Sequence, residues 1–440
     1  MHMARVSLVL CSAVLLALVL AGPAGAWSRP QRLSPAPGKG ANSFSVSSPA
    51  AAVEPGGEAV VAWGGSAHSP PPSRAAGELR VAVGRGGRFA APQRLGRGDD
   101  PVVAIGPDGT AVVAWTALPG TVMAALRRPG RRFGRPVTLA RGTNLAFGVR
   151  VAVARDGAVA VVWHRWGSGR PLRDTAFAAF GSCRGLGRGV ALATAARIDT
   201  LDVAFDATGT AVLAWVQQEQ RGAQPATLAL ARRPPGGAVT PPREVHRGLA
   251  YGAQLALEPG GRAGLAWIAN YGPESGTFGP VQTALEQPGG AFEAPVVAPA
   301  AARARTFAAR AAFGRDHELL ALWQERSTGT TIDPGGPLLW STRSAGAAFG
   351  SRGILAAGTV FAPALSPNGE GGAVAAWSDP RLRLARYRSV SGWRAFAAPA
   401  GVPRRRRGSL PTRAIAAAGR QVMVAWRDAR ARVVASARRL

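Results

Sequence analysis

Cysteine is nearly missing from this 440-residue chain: there are two, Cys11 in an N-terminal apolar run and Cys183 alone in the remainder. A single thiol makes no internal disulfide, so the fold has to rest on its core. Cys183 is expected to be a partly buried free thiol, with an intermolecular bridge as the alternative. Histidine is sparse and scattered, at 68, 164, 246 and 317 beyond the N-terminal run, with no His-x-Glu or Cys-x-x-Cys. That pattern offers no transition-metal site, and no cofactor is expected. There is no Gly-x-Ser-x-Gly elbow and no phosphate loop, which removes the commonest hydrolase and nucleotide signatures. Gly106-Pro-Asp-Gly109 and Arg155-Asp-Gly157 lack the further carboxylates of a calcium loop and read as turns.

Negative charge is also in short supply. Acidic residues number 24 against 53 basic ones, a formal net charge of +29. Lys39 is the only lysine, so the excess is arginine. Such a balance sets up a positive field over much of the surface. Basic and aromatic residues do not interleave in the manner that reads bases, so specific nucleic-acid recognition is not expected.

Long apolar runs are absent after the first 26 residues. Before them, Arg5 precedes the apolar stretch Val6 to Leu20, and Ala24-Gly25-Ala26 suits a cleavage site. Residues 1–26 read as a secretory signal and 27–440 as the mature protein. The run is short for a membrane span. The expected location is outside the cell, or in the periplasm or wall.

What the chain has in abundance is one repeated pentapeptide, Ala111-Val-Val-Ala-Trp115 in its second copy. Variants end at Trp63, Trp115, Trp163, Trp215, Trp267, Trp323, Trp377 and Trp426, spaced by 52, 48, 52, 52, 56, 54 and 49 residues. Periods near this length indicate stacked supersecondary units. The second unit reads Pro101–Ile105, the turn Gly106-Pro-Asp-Gly109, the Trp115 strand, Thr121–Leu126, the turn Arg128-Pro-Gly130, and Phe133–Leu139. We read four short strands, a to d, joined by Gly-containing turns. Strand b is apolar on both faces, as a strand covered by a neighbouring sheet on each side must be. The expected fold is all-β: a single eight-bladed propeller of four-stranded blades, with the tryptophans between blades.

The ends carry a further expectation. Trp27-Ser-Arg-Pro-Gln-Arg-Leu33 matches Phe89-Ala-Ala-Pro-Gln-Arg-Leu95, which is a strand d. The last unit has strands a (412–416), b (421–426) and c (432–437) but no d. The N-terminal strand is therefore expected to complete the last blade and close the ring, giving a monomer with no open edge.

In such a ring the b–c and d–a loops emerge on one face. They are longer and more varied than the a–b and c–d turns, which makes that face the expected working face. Thirteen residues before each tryptophan lies one inner-strand position: Ala50, Val102, Arg150, Asp202, Gln254, Arg310, Ala364 and Arg413. Arg150, Arg310 and Arg413 are candidates to share one anion with Gln254, since guanidinium forks suit carboxylates and phosphates. Asp202 could orient one of them or move a proton; a wet channel lined by polar groups satisfies the same pattern. Past strand b, Glu325, Asp379 and Asp428 each follow a tryptophan by two, with arginine nearby at 326, 381 and 430. A pair of such carboxylates would serve glycoside cleavage, and local ion pairs that pin loops explain them equally. His164, Arg165, Trp166 and Tyr271 follow strand b and could supply stacking or proton transfer. Arg404, Arg405, Arg406 and Arg407 form a basic run in the last d–a loop, with Lys39, Arg303 and Arg305 in loops of the same face.

The repeats resemble secreted bacterial β-propellers. Ser366-Pro-Asn-Gly369 and Gly106-Pro-Asp-Gly109 are similar to turns of TolB-type and WD40-like repeats. The arginines at 150, 310 and 413 resemble the arginine triad of sialidase-like propellers, which would imply an exo-glycosidase with a carboxylate clamp. The chain differs from that family in its count of repeats and in having no Ser-x-Asp-x-Gly-x-x-Trp box. The leading expectation is non-catalytic binding of a small anionic ligand or an anionic envelope polymer on the basic loop face. Cleavage of acidic glycans through Asp202, Glu325, Asp379 or Asp428 and a protein-interaction scaffold are the alternatives.

Overall fold

The computed structural model describes residues 25–34, 44–46, 48–67, 77–117, 120–142, 146–167, 171–219, 225–258, 260–269, 279–300, 305–326, 336–379, 381–403, 413–428, 430 and 432–440. Among these, all regular structure is β-strand. No helix among them is long and apolar enough to cross a membrane.

The repeat unit folds as the turn chemistry dictates. In the second copy Asp99–Ile105, Ala111–Ala117, Thr121–Arg127 and Val137–Ala140 form one antiparallel four-stranded sheet in that order. The a–b turn is built by Asp108, whose carboxylate accepts from the Thr110 amide (2.9 Å) and hydroxyl (2.7 Å). Gly109 takes the positive φ that the turn needs, at 85°. Sheets of the same a-b-c-d order recur along the chain. One seven-stranded sheet joins two of them through the long strand Gly353–Pro367. That strand pairs as an outer strand at Gly336↔Val360 and as an inner one from Phe361↔Ser378 onward.

Strand b is buried as its apolar run requires: Ala111 to Trp115 are at most 1% exposed. The sheets stack face to face, with hydrophobic clusters between neighbours. Val60 and Leu79 of one sheet pack with Val113 and Trp115 of the next, and Val112 and Val122 with Val161 and Trp163. Another cluster joins Val61 and Trp63 to Met423, Ala425 and Val433 near the far end of the chain. Close approach makes some glycines obligatory. A Cβ on Gly98 would lie 2.1 Å from Trp115 Cδ1.

The first described strand, Gln31–Arg32, pairs antiparallel with Val433–Arg439, Gln31 opposite Ala435 and Arg32 opposite Val434. Ser28 and Leu33 extend the contact through backbone bonds to Ala437 (2.8 Å) and Val433 (2.7 Å). The resulting sheet contains Gln31–Arg32, Val433–Arg439, Gln421–Arg427 and Arg413–Ala418 in spatial order.

Candidate functional site

The first strands of these sheets bring four of the expected residues to equivalent registers. Arg150, Asp202, Gln254 and Arg310 lie opposite Val162, Ala214, Ala266 and Leu322, each the residue before its strand's tryptophan. A β-bulge precedes each of them. In most, the bulge holds a left-handed residue two positions upstream: Gly148 (φ 60°) before Arg150, Gly252 (63°) before Gln254 and Ala308 (55°) before Arg310. Asp100 (48°) and Ala362 (45°) sit in the same place before Val102 and Ala364. Such bulges bend a strand and re-aim the side chains beyond them.

Arg413 departs from the expected pattern. The final a–b turn is a tight hairpin, Ala418 opposite Gln421, where the other units use a longer loop such as Val153 to Val159. The shorter turn moves the register by one. Ala414 faces Ala425, and Arg413 faces Trp426 itself. A one-residue slip sends a side chain to the other face of the sheet. The Arg413 guanidinium therefore bonds Ser378 Oγ on the neighbouring sheet, and its Nη2 is buried without a partner among the described residues. Burial pushes its pKa down to about 10.

Arg150, Asp202 and Arg310 act on one another's charge without a direct ion pair between them among the described residues. Asp202 accepts from the Val203 amide (3.0 Å) and, across to the next inner strand, from the Leu255 amide (3.1 Å). Its surroundings exclude water enough to raise its pKa, against the opposing pull of those amides and of Arg150 and Arg310. Arg310 is pushed down by burial and then by the Arg150 charge, with Asp202 countering. Each arginine anchors one amino group on the carbonyl before it, Arg150 on Val149 (3.0 Å) and Arg310 on Ala309 (2.8 Å). Gln254 does the same with Ala253 (3.3 Å). The two guanidinium ions act on the Asp202 carboxylate in a partly desolvated space.

Sampling one position per unit missed the rest of this cluster. Arg197 and Asp199 lie on the same strand as Asp202, Arg197–Phe205, and form an ion pair at 3.3 Å. Asp199 is also raised by burial, against Arg197 and bonds from Gly252 and Thr200. His164 is 6% exposed, its ring 6.0 Å from that of Phe147. Burial lowers its pKa; Asp174 opposes this, while Arg150 and Arg197 add to it. Asp174 is fully buried and accepts from the Ile198 amide at 3.2 Å. The available signal was Arg197-x-Asp199-x-x-Asp202, three ionic residues in a strand whose remainder is apolar except for Thr200.

The acidic residues after the tryptophans serve the scaffold in two cases out of three. Glu325 is 4% exposed; it accepts the Trp323 indole N–H at 2.9 Å and pairs with Arg352 at 3.3 Å. Residues i and i+2 share a face of a strand, so the second position after a tryptophan can accept its N–H. Gln217 does this for Trp215 (2.8 Å). Asp428 instead closes a turn, accepting from the Arg430 and Arg432 amides (2.9 and 3.0 Å) and pairing with Arg432 (2.6 Å). Asp379 ends its strand opposite Arg381. Arg404, Arg405, Arg406, Arg407, Lys39, Arg303, Tyr271 and His68 lie outside the described residues, as do the side chains of Arg305 and Arg326. Cys183 is free and partly exposed in a c–d turn. Among the described residues no group of His, Cys, Asp and Glu could hold a metal ion.

No protein-family profile matches the chain, and no curated protein matches it. Among solved structures it is similar to the BP39L lectin from Burkholderia pseudomallei, at 15% identity and TM-score 0.47, over 89% of this chain and 96% of that one. It is also similar to an α-L-arabinanase from Penicillium chrysogenum, complexed with arabinobiose, at 11% identity and TM-score 0.46, over 94% and 98%. A puromycin-hydrolysing peptidase from Mycobacterium tuberculosis aligns at 15% identity and TM-score 0.44, over 94% of this chain and 56% of that one. Scores and identities at this level assign neither a family nor an activity.

Proposed function

We propose that the chain is a secreted, monomeric eight-bladed propeller that binds an anionic ligand without turning it over. In this reading residues 1–26 are a signal, and the seven-stranded sheet counts as two blades. The N-terminal strand completes the last blade, which the pairing of Gln31 with Ala435 supports. The ligand is a carboxylate-bearing small molecule or the end of an acidic envelope polymer. The observation that carries the proposal is that Arg150 and Arg310, at registers equivalent to that of Asp202, both act on its charge. Guanidinium forks suit a carboxylate, and partial desolvation strengthens the hydrogen bonds they would make to it. No specific nucleic acid and no cofactor enter this reading.

Titration calorimetry with oligogalacturonate tests it. Saturable binding is expected, weakened at least tenfold in Arg150→Gln/Arg310→Gln and unaffected in Arg413→Gln. Binding that ignores the first variant would remove the reading.

Cleavage of an acidic glycan is the second reading. One observation favours it: Asp199 and Asp202 share a strand, and burial raises the pKa of both, as a general acid requires. Release of reducing ends from polygalacturonate, lost in Asp202→Asn, would establish it. An absence of release would leave binding as the function.

A further inference from the structure

A second basic site lies away from the inner-strand cluster, beside the a–b and c–d turns. A cavity of about 430 Å³ is lined by Arg315, Arg386, Arg388, Arg394, Arg420 and Glu370. Its size is that of a small-ligand pocket. Five guanidinium ions face one carboxylate there.

The placement of these arginines is costly to the fold by itself. Arg386 and Arg394 are directly opposed on the antiparallel strands Arg381–Arg388 and Gly392–Phe396. Directly opposed side chains stand about 5 Å apart at Cβ, and like charges so placed are destabilising. Arg388 follows on the same face, two residues along. Arg420 reaches in from the tight hairpin of the neighbouring sheet, where Ala418 faces Gln421. Burial and then Arg388, Arg420, Arg394 and Arg438 all push the Arg386 pKa down.

Other arginines of the molecule have been given partners. Arg127 meets Glu58 at 2.7 Å, Arg262 meets Glu258 at 2.8 Å, and Arg343 meets Glu293 at 2.5 Å. In the cavity Arg315 bonds the Glu370 carbonyl (3.0 Å) and Arg420 the backbone oxygen of the last residue, Leu440 (2.6 Å). Arg386, Arg388 and Arg394 have no carboxylate within ion-pair distance among the described residues. Neutral lining residues Asn368, Ser389 and Ser391 add hydrogen-bonding groups to the same walls.

We infer that this cavity is a binding site for a multiply charged oxyanion, a phosphate or sulfate group, held by Arg386, Arg388, Arg394 and Arg420. Planar guanidinium forks match the tetrahedral oxygens of these groups. The excess of arginine over carboxylate is larger here than around Asp202, so the two sites favour different anions. The cavity stands on residues independent of the inner-strand proposal and survives if that proposal fails.

The test is calorimetry and thermal unfolding of the full chain with tripolyphosphate, and with sulfate, each against chloride at equal ionic strength. Saturable binding at one site per chain is expected, with a rise in Tm that chloride does not reproduce. Arg386→Gln/Arg394→Gln should bind at least tenfold more weakly, yet melt no lower than the parent without ligand, because an opposed like-charge pair has been removed. Arg388→Gln/Arg420→Gln should lose affinity too. Arg150→Gln/Arg310→Gln and the exposed control Arg141→Gln/Arg188→Gln should bind as the parent does. Tighter response to tripolyphosphate than to sulfate indicates a phosphate-chain ligand, and the reverse a sulfate ester; either supports the site. No saturable binding by the parent, or parental affinity in both cavity variants, overturns it.

Discussion

The side-chain amide of Gln31 clamps the backbone of Phe89 on the adjoining sheet, donating to its carbonyl at 2.8 Å and accepting from its amide at 2.7 Å. Gln93 makes the same pair of bonds to Phe133, at 2.8 and 3.1 Å. The two glutamines occupy the same place in the repeated Pro-Gln-Arg-Leu, at 30–33 and 92–95. The N-terminal strand is thus bound to its neighbour by the device used in the middle of the chain.

Gln31→Ala would leave that backbone amide and carbonyl without their partners. We expect a loss of about 1–3 kcal/mol, with a similar loss for Gln93→Ala, read by urea unfolding. A negligible effect at 31 with a full effect at 93 would mean that the N-terminal strand docks only loosely.

Ala308 and Ala362 hold left-handed backbone at φ 55° and 45°. Glycine adopts this conformation freely, while an L-residue there costs about 1–2 kcal/mol. Ala308→Gly and Ala362→Gly should each stabilise the fold by about 1 kcal/mol. Ala311→Gly, at an ordinary strand position opposite Ala321, should destabilise it by about 0.5–1 kcal/mol.

Glu325 is expected to act on structure. Glu325→Ala leaves the Trp323 indole N–H buried without an acceptor, at a cost of about 1–3 kcal/mol. Glu325→Gln retains an acceptor oxygen and should cost less than about 1 kcal/mol. Denaturant midpoints for the two variants separate these outcomes; equal losses would show that the Arg352 ion pair, and not the indole, is what matters.

Acid sensitivity should begin with histidine. The folded-state pKa of His164 lies below the ordinary 6.5, so the unfolded chain takes up the proton first. Stability is therefore expected to fall as pH drops through about 6.5 and to level off below the folded value. His246, stacked on Trp267 at 5.2 Å, is lowered as well and adds to the slope. Asp199 and Asp202 work in the other direction at lower pH: their raised values add stability as pH falls from those values toward the ordinary 3.8. His164→Gln should flatten the melting-temperature profile between about pH 7.5 and 5.5, and His164→Gln/His246→Gln should flatten it further. An unchanged slope in both would assign the sensitivity elsewhere.

The sequence made the sheets legible because the double-sided burial of strand b has only one apolar solution, and Asp-Gly turns mark where it begins. Counting back from each tryptophan worked wherever the a–b loop kept its length. It failed at Arg413 because the Ala418–Gln421 hairpin is shorter, and a change in turn length inverts a strand's faces. The cluster around Asp202 was half legible: Arg150 and Arg310 showed in the one-per-unit register, whereas Arg197, Asp199 and Asp174 lie at other registers and meet it only in three dimensions. The cavity at Arg386 was hidden for a similar reason. Arg386, Arg388 and Arg394 share one hairpin but Arg420 and Arg315 come from two others, and in a chain this rich in arginine no single one stands out.

A crystal structure of the protein with digalacturonate bound tests the proposed function most directly. We expect a carboxylate between Arg150 and Arg310, within about 3 Å of a guanidinium nitrogen of each, with Asp202 still bonded to the Leu255 amide. A ligand seated elsewhere, with Arg150 and Arg310 bonded only to protein and solvent at saturating concentration, would contradict it.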